Sequence, residues 1–452
     1  MRNSIRPSIR RTRLLGAGTA ILAAIALVGL AVTPAAAARG PVTTTEDYVY
    51  DNWSCGYPME VKGQITTTFR DRPSPAGVDR PFTVVNSSYA ETWTNASGDS
   101  FSASGKVLRK DMKITSLGGS LYQITFQMTG QPNVVTAHGS VLARDRGLFR
   151  YTYTYDSDTG AEEFVGVTMN GPHPLFVNDL CKIVAPVVGN SSAEHHTPRP
   201  LGTTDAGMGY YEYLPPSYDA GGSPLLVVAN GYGENGDGSA EALNNLLFTG
   251  IPRFIDVGGW PLERPFVVLS TQHVQQEPFI DGSACDAEPW PGSCNLILQH
   301  TLGHPAGSGC TTPDELHDFI SYAVAHYDVD PTRVYVTGLS CGAFGVWEYL
   351  ANYGDEQVAA AVPYAGEGRP AWATSGCALG AVPVWALAGE LDDVVNPLGS
   401  IEPINALSAC PGVTTERAKL TIYPDLYHEG WDEAYSGAFG DDIYAWMLSY
   451  SN

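Results

Sequence analysis

Six continuous apolar runs in the second half of the chain constrain its fold more than any other feature. They are Pro224-Leu225-Leu226-Val227-Val228-Ala229, Pro265-Phe266-Val267-Val268-Leu269, Arg333-Val334-Tyr335-Val336, residues 358–362, residues 382–388 and Leu420-Thr421-Ile422-Tyr423. A strand with one wet face alternates apolar and polar residues, whereas one covered on both faces reads apolar throughout. Segments with apolar residues at helical spacing fall between many of the runs, at 239–247, 314–326, 344–353, 401–409 and 441–450. The alternation predicts a mostly parallel sheet with helices on both faces.

Residues 39–188 have another character. Stretches such as Tyr122-Gln123-Ile124-Thr125-Phe126-Gln127-Met128 and Phe149-Arg150-Tyr151-Thr152-Tyr153-Thr154-Tyr155 alternate apolar or aromatic with polar residues, separated by Gly, Pro, Asn, Asp and Ser clusters. This predicts a smaller antiparallel β-domain, a sandwich or a barrel, without a long helix. Its aromatics read as the inward face of a sheet. Residues 189–204 have the composition of a linker, in which Glu194-His195-His196 is expected to be solvated rather than metal-binding. The domain of alternating strands and helices is then expected over 205–452.

Residues 1–38 read as a signal peptide: Arg2, Arg6, Arg10, Arg11 and Arg13 precede an apolar run, and Ala36-Ala37-Ala38 offers a cleavage site. Export follows, with no membrane attachment after cleavage. With the five leader arginines set aside, 48 acidic residues face 20 basic ones, a net charge near −28. Such a surface repels polyanions, so nucleic acid is not an expected partner. The 8 cysteines of an exported chain favour disulfides over thiols or zinc. Cys55 and Cys181 bracket the β-domain and are expected to pair. Among the rest, Cys285–Cys294, Cys310–Cys341 and Cys377–Cys410 are the preferred pairs. No metal site is expected.

The chemistry centres on Thr337-Gly338-Leu339-Ser340-Cys341-Gly342, between an apolar run and a helical segment. Strand, tight turn and helix are the context in which Gly-x-Ser-x-Gly exposes a serine hydroxyl at a strand's end. Ser340 is therefore the candidate nucleophile. Functional groups gather at the carboxyl ends of parallel strands, so its partners should follow later strands. The run ending at Ala388 is followed by Gly389-Glu390-Leu391-Asp392-Asp393, and Tyr423 by Pro424-Asp425-Leu426-Tyr427-His428. His428 is the candidate base and Asp392, in preference to Asp393, the carboxylate that orients it. The order Ser, Asp, His is that of an α/β-hydrolase. Backbone N–H groups of Cys341 and of Tyr232, in the turn Asn230-Gly231-Tyr232-Gly233-Glu234-Asn235-Gly236, are the candidate oxyanion donors.

These motifs, with Val362-Pro363 and Gly366, Val382-Pro383-Val384-Trp385 and His428 with Trp431, resemble the secreted esterases grouped with poly(3-hydroxybutyrate) depolymerases and feruloyl esterases over roughly residues 205–450. The resemblance implies an α/β-hydrolase fold, no cofactor, and hydrolysis of carboxylic esters of phenolic, acetyl-polysaccharide or polyester type. It departs from that group at Asn230, where a histidine is usual. A Gly-, Pro- and Cys-rich segment between Gln272 and Thr312 is long enough to cap the site, and Trp290 and Trp431 are candidate substrate contacts. A serine peptidase of the same fold and an inert binding protein that works through its β-domain stay open on sequence alone.

Overall fold

The computed structural model describes residues 40–72, 82–274 and 309–452. The leader and residues 275–308 of the expected cap, with Cys285, Trp290, Cys294, His300 and His304, lie outside the described residues. The chain divides into two compact units, one built on Pro58–Gly189 with the described residues up to Ser54, the other on Asn190–Asn452 with Cys55–Tyr57.

The first unit is an eight-stranded antiparallel sheet. Its strands are β1 Val42–Asn52, β2 Met59–Arg72, β3 Phe82–Asn95, β4 Ser100–Gly118, β5 Leu121–Ala137, β6 Ser140–Arg144, β7 Gly147–Asp156 and β8 Glu162–Asn170. They pair in the order β1-β2-β3-β4-β5-β7-β8, with β6 on β5. Among the described residues β1 and β8 pair on one side only, so the expectation of a sandwich or barrel is corrected to a single open meander. Alternation dictates the pleat: in β3, Ser87, Tyr89, Glu91 and Trp93 are buried while Ser88, Ala90 and Thr92 are exposed.

Several buried polar groups of this unit find partners. Glu91 accepts from Trp93 Nε1 at 2.9 Å and from the Tyr48 hydroxyl at 2.8 Å. Tyr89 donates to Asn133 Oδ1 at 2.7 Å, Asn133 Nδ2 donates to Asp145, and Asp145 accepts the Leu175 N–H at 2.9 Å. Burial raises the carboxyl pKa of both Glu91 and Asp145. Two helices follow, α1 Pro174–Val177 and α2 Leu180–Val188, and α2 buries Leu180, Cys181, Val184 and Val188 along one stripe.

The second unit is also built on eight strands: β9 His196–Arg199, β10 Gly209–Tyr213, β11 Ser223–Ala229, β12 Val267–Gln272, β13 Val329–Leu339, β14 Ala360–Tyr364, β15 Val384–Gly389 and β16 Ala418–Tyr423. Their order is β16-β15-β14-β13-β11-β12-β10-β9. β11 to β16 run parallel, and β10 and β9 extend the edge antiparallel. Side chains alternate between two cores. Leu225, Val227, Val334 and Val336 pack against Phe319, Val346 and Ile404 on one face. Leu226, Val228, Tyr335 and Leu339 pack against Phe254, Tyr435 and Ile443 on the other. The helices that supply them are α3 Gly250–Asp256, α4 Pro313–His326, α5 Cys341–Tyr353, α6 Arg369–Ser375, α7 Leu398–Ser408, α8 Trp431–Ser436 and α9 Ile443–Leu448.

Three expectations are corrected here. Residues 189–204 are not a free linker, because Ser191–His195 form a 3-10 turn and β9 pairs with β10, where Arg199 meets the buried Glu212 at 2.8 Å. Pro198 is tolerated because β9 is an edge strand. The segment 239–247 is a 3-10 turn over Ala242–Phe248, and the predicted terminal helix at 441–450 shortens to α9. The expected bonds Cys310–Cys341 and Cys377–Cys410 are present, and Cys55 and Cys181 are both disulfide-bonded.

Candidate active site

Parallel strands deliver their carboxyl ends to one rim, and each turn there contributes one group. β13 ends at Leu339 and α5 begins at Cys341, so Ser340 carries the whole reversal, at φ 50° and ψ −118°. A side chain rarely adopts this backbone, and glycines make it feasible on both sides. A Cβ on Gly338 would sit 2.6 Å from the Gly342 backbone, and one on Gly342 would sit 2.3 Å from the Ala229 carbonyl oxygen. The Ser340 N–H donates to Tyr364 O at 2.8 Å, which anchors the turn to β14.

Gly389 has the same duty at the end of β15: a Cβ there would meet the Tyr427 and Leu426 carbonyl oxygens at 2.5 and 2.6 Å. The turns bearing Asp392 and His428 therefore lie against each other. Asp392 Oδ1 accepts the Val394 and Val395 N–H groups at 3.0 and 2.8 Å, which fixes the carboxylate and leaves Oδ2 for His428 Nδ1 at 2.8 Å. On the other side of the ring, His428 Nε2 lies 3.0 Å from Ser340 Oγ. A carboxylate only accepts, so Nδ1 carries the proton and Nε2 faces the serine hydroxyl with its lone pair. Ser340 and Asp392 are 6% and 3% exposed. Asp393 is exposed, which separates the two adjacent carboxylates.

The turn after β11 approaches the same place. A Cβ on Gly231 would lie 2.5 Å from Leu339 Cδ1 and 2.6 Å from Glu234 Oε2, so only glycine fits between this turn and the strand that ends at the serine. Tyr232 opens a 3-10 turn over Tyr232–Glu234, and Cys341 opens α5; residues that open a helix have N–H groups with no intrahelical acceptor. Asn230 holds the turn: Nδ2 donates to the Gly231 carbonyl and to Asn235 Oδ1, both at 2.8 Å, and Oδ1 accepts the His273 N–H at 2.8 Å. A trans peptide points its N–H opposite its C=O, so fixing the Gly231 carbonyl also fixes the Tyr232 N–H. Asparagine supplies both a donor and an acceptor there.

Burial raises the Glu234 carboxyl to about 7, against the backbone N–H groups of Gly231 and Glu234, and the charge of Asp432 adds to the rise. Asn235 Nδ2 reaches the Gly309 carbonyl at 2.7 Å, and the next residue, Cys310, is bonded to Cys341. Trp431 stands beside His428 with ring centroids 5.3 Å apart and planes at 76°.

The structure thus brings together Ser340, Asp392, His428 and Trp431, and sets the turn of Tyr232 against that of Cys341. Trp290 lies outside the described residues. Sequence reasoning assigned no role to Thr249 or Asp432, and it named Glu234 only as part of the turn after the first apolar run.

No family model matches the chain. It is 28% identical over 169 residues to a probable acetylxylan esterase A of Aspergillus terreus, a match covering 37% of this chain and 45% of that protein. With acetylxylan esterase A of Aspergillus ficuum it shares 26% identity over 258 residues, 54% of this chain and 72% of that one. Among solved structures it is similar to a thermostable esterase, at 18% identity and a TM-score of 0.39 over 78% of this chain and 90% of that one. It is also similar to the acetyl xylan esterase of Aspergillus awamori, at 16% identity and a TM-score of 0.34 over 54% and 98% of the two chains. The chain spans 45% of the first of these curated relatives.

Proposed function

We propose that this chain is an exported serine esterase of the α/β-hydrolase type, hydrolysing carboxylic esters through an acyl-enzyme. The observation that carries the reading is the unbroken contact from Asp392 Oδ2 to His428 Nδ1 and from His428 Nε2 to Ser340 Oγ, at 2.8 and 3.0 Å. His428 accepts the serine proton as Oγ attacks the ester carbonyl, and Asp392 stabilises the imidazolium that forms. The Tyr232 and Cys341 N–H groups receive the oxyanion. His428 then protonates the leaving alcohol and activates water to release the acid. No cofactor takes part in these steps.

Acetyl esters on a polysaccharide are the preferred substrate class, supported by the names of the two curated relatives. The leader and the disulfides support export. The test is a panel of p-nitrophenyl esters, acetylated xylan and peptide anilides, beside labelling by a fluorophosphonate. Turnover of the short esters with labelling at Ser340 is expected. Cleavage of anilides alone would replace the reading by a peptidase, and absence of both turnover and label would remove it.

A further inference from the structure

We propose that Trp431, held by Thr249, is a positioning residue that stabilises the imidazolium of His428 during acyl transfer. The inference rests on the esterase reading and adds to it a group that touches the base rather than the substrate. Three contacts hold the indole. Its Nε1–H donates to Thr249 Oγ1 at 2.7 Å, its ring meets Tyr364 edge-on at 6.0 Å, and it meets the His428 ring at 5.3 Å.

The chain behind Thr249 has a fixed direction. Thr249 Oγ1 lies 2.7 Å from Asp432 Oδ1, and since the carboxylate can only accept, the single hydroxyl proton goes to Asp432. The hydroxyl lone pair is then left for the indole N–H. Asp432 Oδ1 also accepts the Gly250 N–H at 2.7 Å, and its Oδ2 lies 3.9 Å from the buried Arg253 guanidinium. Asp432, Thr249 and Trp431 therefore form one polarised series, in which donation of the Thr249 proton to the carboxylate makes the Thr249 oxygen a better acceptor for the indole N–H. It ends by enriching the indole ring that stands against the imidazole.

The turn between the histidine and the tryptophan is closely packed. Gly430 has φ 95°, and a Cβ there would lie 2.5 Å from Leu426 Cδ1 and 2.7 Å from the Tyr364 hydroxyl. Tyr364 in turn donates to Glu429 O at 2.7 Å. With planes at 76° one ring turns its edge to the other's face, and we assign the face to the indole. A cation is attracted there far more than a neutral ring, so the contact is worth more when His428 holds the serine proton than before. Only such differential interactions raise kcat.

The test compares wild type with Thr249→Val, which keeps the shape and removes the hydroxyl. Two rates are read: turnover of p-nitrophenyl acetate, and phosphonylation of Ser340 by a small fluorophosphonate, which needs the base but little substrate binding. Both should fall by about 3- to 20-fold with KM within about twofold, and Thr249→Ser should restore most of the loss. Trp431→Phe supplies the same two readings should the valine variant fail to fold. A rise in KM with an unchanged phosphonylation rate would make Trp431 a substrate wall and overturn the proposal, as would no change in either rate. An unreactive wild type overturns the esterase reading, and this inference with it; a reactive wild type matched by both variants overturns this inference alone.

Discussion

Both units are eight-stranded sheets, yet only one concentrates reactive groups, and strand direction accounts for the difference. In the first, neighbours run antiparallel and the chain reverses at alternate edges, so no rim collects equivalent strand ends. Three of its buried polar side chains, Glu91, Asn133 and Asp145, are satisfied within the sheet and by neighbouring donors, and serve the fold. In the second, β11, β13, β15 and β16 end at one rim, and the turns that follow carry Asn230, Ser340, Asp392 and His428. Residues separated by 88 positions, Ser340 and His428, thereby come within 3.0 Å. Parallel pairing, rather than nearness in sequence, assembles the site.

The largest expected effect would break this contrast outright. Ser340→Ala should lower ester turnover by roughly 10⁴-fold or more and abolish fluorophosphonate labelling, with unfolding of the first sheet unchanged. Retained turnover would show that the rim is not where the chemistry happens. Next, Glu91→Ala orphans the Trp93 and Tyr48 donors and should destabilise the first unit by about 2–4 kcal/mol in a denaturant titration, with kcat within twofold of wild type. Loss of kcat at a condition where the unit stays folded would mean that the two sheets are functionally coupled.

Glu234 gives a pH-dependent reading of the second unit. Its folded carboxyl sits near 7, above the unfolded value, so the folded state holds the extra proton. The contribution of Glu234 to stability should be greatest below about pH 4.5 and fall as pH rises through 7, by up to about 3 kcal/mol. Glu234→Gln should flatten that fall, measured as Tm against pH; an unchanged slope would remove Glu234 as its source. The smallest effect is expected at the sheet's outer edge. Thr45 bonds Thr66 across β1 and β2 at 3.0 Å in an exposed pair, and Thr45→Ala should cost a few tenths of a kcal/mol.

What was legible in the sequence tracks how local its cause is. β13 and the turn at Ser340 could be read because an apolar run and two glycines lie within ten residues of each other. Asp392 could be preferred to Asp393 by its place past the strand, although its burial and its two backbone donors appear only in three dimensions. Openness of the first sheet was not legible, since alternation sets the pleat of a strand but not whether its last neighbour meets its first. The edge strand β9 hid behind Pro198 and a polar composition that a linker shares. The bond from Trp431 to Thr249 joins residues 182 apart and leaves no local pattern at either end.

The backbone of Ser340 has a consequence for how this protein can change. A residue with a side chain at φ 50° and ψ −118° costs of order 1–3 kcal/mol that glycine does not. Ser340→Gly should therefore give a sturdier, silent protein, so robustness and turnover pull against each other at one codon. On the esterase reading, serine is kept there by its reaction, and a lineage released from that demand would gain by drifting to glycine.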